Sequence, residues 1–161
     1  QCGKDHYPRV DPAVIVAVSD GERLLLGRQA SWPPRRYSVV AGFVEPGETL
    51  EQTVLREVME EARVRVRTCR YLGAQPWPFP GALMLGFCAD AEPDVPQVDG
   101  ELEDARWFTF DEIDAALARD GDEDGEGLLL PPAISIAHAL IAHWHAGMRA
   151  RNAAASGETL R

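Results

Sequence analysis

The sequence predicts an α/β/α sandwich, in which a mixed β-sheet lies between helices. Strand-like runs fill the first two thirds of the chain, one amphipathic helix interrupts them, and two helices follow. The chain has 161 residues, of which 45% are hydrophobic, enough for one domain with a real core. Its net charge of −10 disfavours nonspecific nucleic-acid binding, and no apolar run is long enough to span a bilayer.

Apolar and alternating runs predict the strands. The runs are rich in β-branched residues or alternate polar with apolar positions, and turn residues bound several of them. The predicted strands cover residues 13–18, 23–28, 37–41, 64–72, 83–89 and 105–108. Residues 75–80 carry three prolines alternating with other residues, which predicts an irregular segment.

The central helix has the clearest start signal. Thr49 with Gln52 predicts a capping box, so the helix should begin at Leu50. Apolar residues then recur every four positions and predict a buried stripe, formed by Leu50, Val54, Val58 and Ala62. Arg56 and three glutamates are predicted to lie off that stripe. The later helices are predicted at residues 111–119 and 132–145.

The same helix carries a cluster of acidic side chains. Glu57, Glu60 and Glu61 stand at i, i+3 and i+4, which places them close together on the helix surface. Unpaired like charges at this spacing destabilise a helix, and a hard divalent cation would relieve the repulsion through carboxylate ligands. A glycine loop with Glu48 precedes the helix and lets the backbone approach a ligand closely. The arrangement predicts a site for Mg²⁺ or Mn²⁺ beside a phosphate.

Residues 42–64 resemble the Nudix box. The box is Gly, five residues, Glu, seven residues, Arg-Glu, an aliphatic residue, one residue, Glu-Glu, one residue, Gly and an aliphatic residue. The matching positions are Gly42, Glu48, Arg56, Glu57, Val58, Glu60, Glu61 and Val64. Arg63 stands where the family has Gly. The alternative, a solvated acidic helix face, does not explain why the glycine loop and the capping signal agree with the box.

The resemblance implies roles for the box residues. Glu57 and Glu61 would be the principal metal ligands, with Glu61 also the catalytic base, and Glu60 a secondary ligand. Arg56 would orient the glutamates by salt bridges, while Glu48 would hold the loop. Arg63 would cost about 1 kcal/mol if the left-handed backbone of the family glycine persists.

A second motif points to one branch of the family. Residues 75–80 read Gln-Pro-Trp-Pro-Phe-Pro, which resembles the signature of the Nudix NADH pyrophosphatases, although Ala82 replaces its final Ser. The resemblance implies that Phe43 stacks on a base, that Ala137 contacts nucleotide through its backbone, and that Tyr7 reaches the site of a partner. The substrate-binding residues expected on this basis are Tyr7, Phe43, Gln75, Trp77, Phe79, Ala82 and Ala137. Glu101 matches a further metal ligand.

The domain organisation follows from the same resemblance. Residues 1–12 are expected to be the remnant of an upstream zinc ribbon, 13–147 the Nudix domain and 148–161 a disordered tail. Cys2 would be the last of four zinc ligands, so zinc is expected only if a longer parent protein supplies the other three. The three cysteines are widely spaced, which favours a reducing cytoplasm over a disulfide framework.

These features predict a metal-dependent hydrolase that splits the diphosphate of NADH or NAD⁺ into nicotinamide mononucleotide and AMP. Removal of NAD caps from RNA 5′ ends is a related expectation, as is a homodimer without a membrane partner. Three alternatives stay open. The substrate could be ADP-ribose or another nucleoside diphosphate derivative, the chain could be a nucleotide-binding sensor without turnover, or it could be a fragment that folds yet works poorly.

Overall fold

A computed structural model of the chain describes residues 3, 5, 7, 9–98, 100–119 and 126–158. Within that part of the chain, six strands and three helices form. In chain order they are β1 Asp11–Ser19, β2 Leu24–Arg28, β3 Val40–Phe43, α1 Leu50–Ala62, β4 Val66–Trp77, β5 Ala82–Ala91, β6 Asp104–Phe108, α2 Phe110–Ala118 and α3 Ile136–Glu158. Cys2 and most of the acidic stretch 120–126 lie outside the described residues. No helix in the described ranges combines the length and apolar character needed to cross a membrane.

The six strands form one mixed sheet centred on β1. The order across the sheet is β4-β5-β1-β2-β6, and β3 pairs with β1 beside β2. β1 runs parallel to β5 but antiparallel to β2 and β3. β1 is apolar along nearly its whole length because both of its faces are covered.

Each face of the sheet has its own hydrophobic core. The first core packs α1 against one face through Val54, Val58 and Ala62. The second packs α2 and α3 against the other face, through Ile113 of α2 and Leu140 of α3 among others. Helices therefore sandwich the sheet, and the predicted α/β/α architecture is confirmed.

The start and end of α1 follow from the sequence. Gln52 donates its backbone N–H to the Thr49 hydroxyl (3.2 Å), and its side chain accepts from the Thr49 N–H (2.8 Å), so the capping box is confirmed. Arg63 ends the helix with φ 56° and ψ 28°, a left-handed conformation. Arg63 stands where the family box has glycine, but it keeps the left-handed backbone conformation that glycine adopts easily. Because Arg63 has a Cβ atom, this conformation strains the backbone.

β4 is longer than the sequence predicts. The strand continues to Trp77, and Pro76 pairs with Leu83 of β5. The prediction that residues 75–77 are irregular was wrong, because β4 is the edge strand of the sheet. Proline lacks a backbone donor, but an edge strand needs hydrogen bonds on one side only.

α3 is also longer than predicted. The sequence predicts a disordered tail from residue 148, but the helix continues to Glu158. Met148 is buried in the second core with Trp144, so the helix is held by packing beyond the predicted end at residue 145. This corrects the tail prediction for residues 148–158.

Candidate active site

The glycine loop and α1 meet at Gly42. A Cβ atom on Gly42 would lie 1.9–2.3 Å from the carboxylate atoms of Glu57, far inside van der Waals contact. The position therefore demands glycine because a side chain from the helix fills the space over the β3 backbone. This close approach connects the first residue of the box to the acidic face of α1.

Arg56 connects the loop to the glutamates. Its Nε and Nη2 donate to the two carboxylate oxygens of Glu48, at 2.6 and 2.9 Å. Its Nη1 donates to Glu57 (2.9 Å) and to Glu60 (3.0 Å), and Nη2 also reaches the Phe43 carbonyl oxygen (3.0 Å). One guanidinium thus holds three carboxylates and the end of β3 in a fixed arrangement, and these bonds raise its own pKa.

Glu48 is held by several donors. Besides Arg56, the Thr53 hydroxyl (2.9 Å) and the Glu45 backbone N–H (3.1 Å) donate to its carboxylate. Hydrogen bonds from Arg56 are the main reason why the pKa of Glu48 falls to about 2. These contacts support a role for Glu48 in holding the loop.

Glu57 and Glu61 are buried, although the sequence predicts that both lie off the buried stripe of α1. Their exposed fractions are 8% and 6%, while the Glu60 side chain is 57% exposed. Burial raises the pKa of Glu57. Burial, followed by the charges of Glu101, Glu57 and Glu60, raises the pKa of Glu61 to about 8. Burying two like-charged groups is costly, and perturbed carboxylates of this kind cluster at functional sites, so this pair is the candidate site.

The expected metal ligands are only partly gathered. Among the residues described, no group of three or more His, Cys, Asp or Glu side chains is arranged to hold an ion. Arg56 bonds Glu57 and Glu60, and Glu101 lies on the exposed loop before β6. The carboxylate oxygens of Glu57 and Glu61 nevertheless have the chemistry that Mg²⁺ and Mn²⁺ prefer. Metal ligation by Glu57, Glu60, Glu61 and Glu101 stays a prediction.

A nonpolar cavity lies on the other face of the sheet, between β4 and the start of α3. It encloses about 330 Å³, within the range of small-molecule sites. Its lining residues are Ile15, Trp32, Pro33, Arg36, Ser38, Gln75, Trp77, Met84, Pro131, Pro132, Ser135, Ile136 and Ala137. Three of the expected substrate-binding residues, Gln75, Trp77 and Ala137, are brought together here, although Ala137 lies about sixty residues after the other two.

A smaller cavity lies beside this space. It encloses about 130 Å³, and its wall contains Glu61 and Gln29. Ile15, Trp32 and Ser38 line both cavities, so the two spaces adjoin along these residues. Glu61 therefore lies in the wall of the space next to the nonpolar cavity.

Four expected substrate-binding residues lie outside the nonpolar cavity. Tyr7, Phe43 and Phe79 are 86%, 60% and 75% exposed. Phe79 contacts Trp77 edge to face, with ring centroids 5.7 Å apart, and Ala82 pairs with Trp77 in the sheet. The lining residues Trp32, Pro33, Ser38 and Met84, as well as Gln29, were not predicted from the sequence. Trp32 precedes Pro33 and Pro34, and an aromatic residue beside two prolines indicates only a break in regular structure.

The family of the chain is decided by comparison with known proteins. The family model of the NUDIX domain matches residues 9–129. The chain belongs to the Nudix family. The buried glutamates Glu57 and Glu61 lie within the matched residues.

Relatives of this Nudix chain include two proteins named as RNA hydrolases. It is 52% identical over 149 residues to the NAD-capped RNA hydrolase NudC of Mycobacterium bovis, covering 89% of this chain and 48% of NudC. It is 47% identical over 141 residues to the human NAD-capped RNA hydrolase NUDT12, covering 86% of this chain and 30% of NUDT12. The chain thus spans about half or less of the length of these relatives.

Solved structures share the Nudix fold at low sequence identity. The NUDIX domain of Shewanella oneidensis NrtR, complexed with ADP ribose, has a TM-score of 0.63 at 19% identity, covering 89% of this chain and 90% of that one. A NUDIX hydrolase from Nitrosomonas europaea has a TM-score of 0.61 at 24% identity, covering 86% and 90%. At these identities, the similarities concern the fold alone.

Proposed function

We propose that this Nudix chain hydrolyses the diphosphate of NADH or NAD⁺ into nicotinamide mononucleotide and AMP. The observation that carries the proposal is the junction of the nonpolar cavity with the Glu61 cavity through Ile15, Trp32 and Ser38. One base of a dinucleotide fits the nonpolar wall, while its diphosphate lies towards the glutamates. The names of the relatives support the same substrate and extend it to NAD-capped RNA.

The proposal assigns each box residue a task. Glu61 accepts the proton of the attacking water, because its carboxylate lies in the wall of the smaller cavity. Arg56 positions Glu57 and Glu60 through its Nη1 hydrogen bonds. Glu57, Glu60, Glu61 and Glu101 would hold Mg²⁺ or Mn²⁺, which when bound neutralises charge on the phosphoryl oxygens.

The same proposal covers the setting of the enzyme. A homodimer would explain how Tyr7, which is 86% exposed, could serve a second active site. A reducing cytoplasm agrees with Cys69 and Cys88, which are both free thiols. The homodimer follows from the resemblance to the NADH pyrophosphatases.

The test is AMP release from NADH, followed by chromatography, with Mn²⁺ or Mg²⁺ and with EDTA in parallel. The parent chain should release AMP only with metal, and Glu61→Gln should lower kcat by about 10³-fold because the base is lost. Glu51→Gln, at an exposed position in the first turn of α1, is the matched control and should retain activity. Metal-independent release, or full activity of Glu61→Gln, would contradict the proposal.

ADP-ribose is a second candidate substrate. Ala82 replaces the final Ser of the NADH pyrophosphatase signature, and ADP-ribose would bring a single base to the nonpolar cavity. The same assay with ADP-ribose, NADH and NAD⁺ separates these substrates by kcat/KM. Tight NADH binding without AMP release would instead favour a nucleotide sensor.

A further inference from the structure

Gln75 uses both ends of its side-chain amide to bond the backbone at the start of α3. Its Nε2 donates to the carbonyl oxygen of Ile134 at 2.9 Å. Its Oε1 accepts from the N–H of Ile136 at 2.8 Å. The amide therefore spans from edge strand β4 to a turn about sixty residues away in sequence. These bonds leave the Gln75 amide engaged by protein, although the family resemblance suggests substrate binding.

The turn that Gln75 holds is ordered by local hydrogen bonds. Ser135 donates its hydroxyl to the Pro132 carbonyl oxygen (2.8 Å) and accepts from the N–H of His138 (3.2 Å), which caps α3. Ile136 packs directly on Gly86 of β5, where a Cβ atom would lie 2.8 Å from its Cδ1. The turn is thus a rigid unit, and Gln75 is the side chain that ties it to β4.

This unit forms one wall of the nonpolar cavity, and β4 forms the opposite wall. Trp77 stands two residues after Gln75, so both side chains point to the same face of the sheet. Ala137 directly follows Ile136, and its 5% exposure shows that it is enclosed. The two hydrogen bonds of Gln75 therefore control the distance between the wall that contains Trp77 and the wall that contains Ala137.

We propose that Gln75 is a positioning residue that fixes the width of the nonpolar cavity and thereby its fit to a planar base. The proposal rests on the function proposed above, because it takes the cavity as the base site. Loss of two hydrogen bonds to backbone would let the start of α3 move relative to β4. Substrate affinity would fall, whereas the glutamates on the other face of the sheet would keep their arrangement.

The decisive variant is Gln75→Met, which keeps the side-chain length and removes both hydrogen bonds. We expect KM for NADH to rise about tenfold with kcat changed less than threefold, and Mn²⁺ affinity to stay unchanged. Gln97→Met, at an exposed loop position, is the control and should match the parent. An unchanged KM in Gln75→Met would overturn the proposal, as would a loss confined to kcat.

A second variant separates positioning from general damage to the fold. Gln75→Glu keeps the acceptor for Ile136, but its carboxylate repels the Ile134 carbonyl oxygen. A protonated Glu regains the missing donor, and its ordinary pKa is about 4.3. The KM ratio of variant to parent should therefore fall towards one as the pH drops from 7 through about 4.3. A ratio that does not change with pH would contradict the assigned hydrogen bonds.

Amide hydrogen exchange at Ile136 tests the proposal independently of catalysis. Exchange in Gln75→Met should be at least tenfold faster than in the parent, because the N–H loses its acceptor. If the parent releases no AMP from NADH, the proposed function fails, and exchange at Ile136 still decides whether Gln75 holds α3. Equal exchange in parent and variant would overturn the positioning role.

Discussion

The glutamate face of α1 and the nonpolar cavity differ in how the chain builds them. The box residues of the first lie within residues 42–61, in one loop and one helix, and Arg56 donates hydrogen bonds to three of them, Glu48, Glu57 and Glu60. The second takes its walls from β1, the segment 32–38, β4, β5 and the start of α3. The first site is built from residues close together in sequence, whereas the second exists only once the sheet has formed and α3 has packed on it.

This difference predicts different consequences of mutation. Changes on α1 should act on chemistry and metal binding, because the buried glutamates and Arg56 are one hydrogen-bonded and electrostatic unit. Changes around the nonpolar cavity should act on substrate affinity, because its walls carry few charges. A cavity variant that lowered only kcat, or an α1 variant that raised only KM, would contradict this separation of the two regions.

The largest effect is expected from Gly42→Ala. The new methyl group would collide with the Glu57 carboxylate, so we expect a loss of about 1–3 kcal/mol in the free energy of unfolding and roughly hundredfold lower kcat. Urea denaturation and metal-dependent AMP release measure the two effects. Gly73→Ala is the matched control, because nothing lies within 4 Å of its added Cβ. Equal behaviour of the two variants would show that the close approach is unimportant.

Glu61 should make the metal-free protein less stable as pH rises. Its pKa is about 8 in the folded chain against 4.5 ordinarily, so the folded state holds the proton more tightly. Stability is then full below about pH 4.5 and is lost as pH rises towards 8. Glu61→Gln removes this loss, and it should stabilise the chain by on the order of 2 kcal/mol at pH 8 with EDTA.

Urea unfolding at pH 5, 6.5, 8 and 9 measures this difference. Glu48→Gln provides a control of opposite sign: the pKa of Glu48 is lowered to about 2, so its stabilising effect is fully present from pH 5 to 9 and the variant should be less stable than the parent throughout. Mn²⁺ should also bind Glu61 with proton release below pH 8. A stability difference between parent and Glu61→Gln that is constant from pH 5 to 9 would contradict the burial argument.

Trp77→Ala should weaken substrate binding without changing the chemistry. Stacking of a base on an aromatic ring contributes about 1–3 kcal/mol, so KM for NADH should rise at least about fivefold while kcat stays within threefold. Steady-state kinetics with Mn²⁺ give both constants. Tyr71→Ala removes another exposed aromatic residue of β4 that is not part of the cavity wall, and it should leave KM unchanged. A large fall in kcat for Trp77→Ala would show that the cavity also acts on the chemical step, contrary to the comparison.

The smallest effect is expected from Arg63→Gly. Glycine adopts φ 56° without the strain of a Cβ atom, so the free energy of unfolding should rise by about 0.5–1 kcal/mol. The kinetic constants should stay within twofold of the parent, because the ligands lie on the preceding turns. Arg63→Ala keeps the Cβ atom and should bring no gain in urea denaturation. A gain as large with Ala would assign the effect to the side-chain charge instead.

Much of the fold could be predicted because its signals are local. The capping box at Thr49 fixed the start of α1, and alternating or apolar runs located six strands. The errors arose where packing overrode local preference. Pro76 pairs with Leu83 because β4 is an edge strand, and Met148 extends α3 because the second core holds it. Neither neighbour can be read from the segment itself.

The sequence by itself determined the acidic unit of α1, since residue spacing on a helix places glutamates and Arg56 within reach of each other. Only the tertiary structure decided that Glu57 and Glu61 are buried while Glu60 stays exposed, because burial depends on which face of α1 meets the sheet. Only the tertiary structure brought Gln75 to Ile134 and Ile136. A side-chain amide can bond only groups within about 3 Å. Gln75 therefore finds these partners only once β4 and the start of α3 lie side by side.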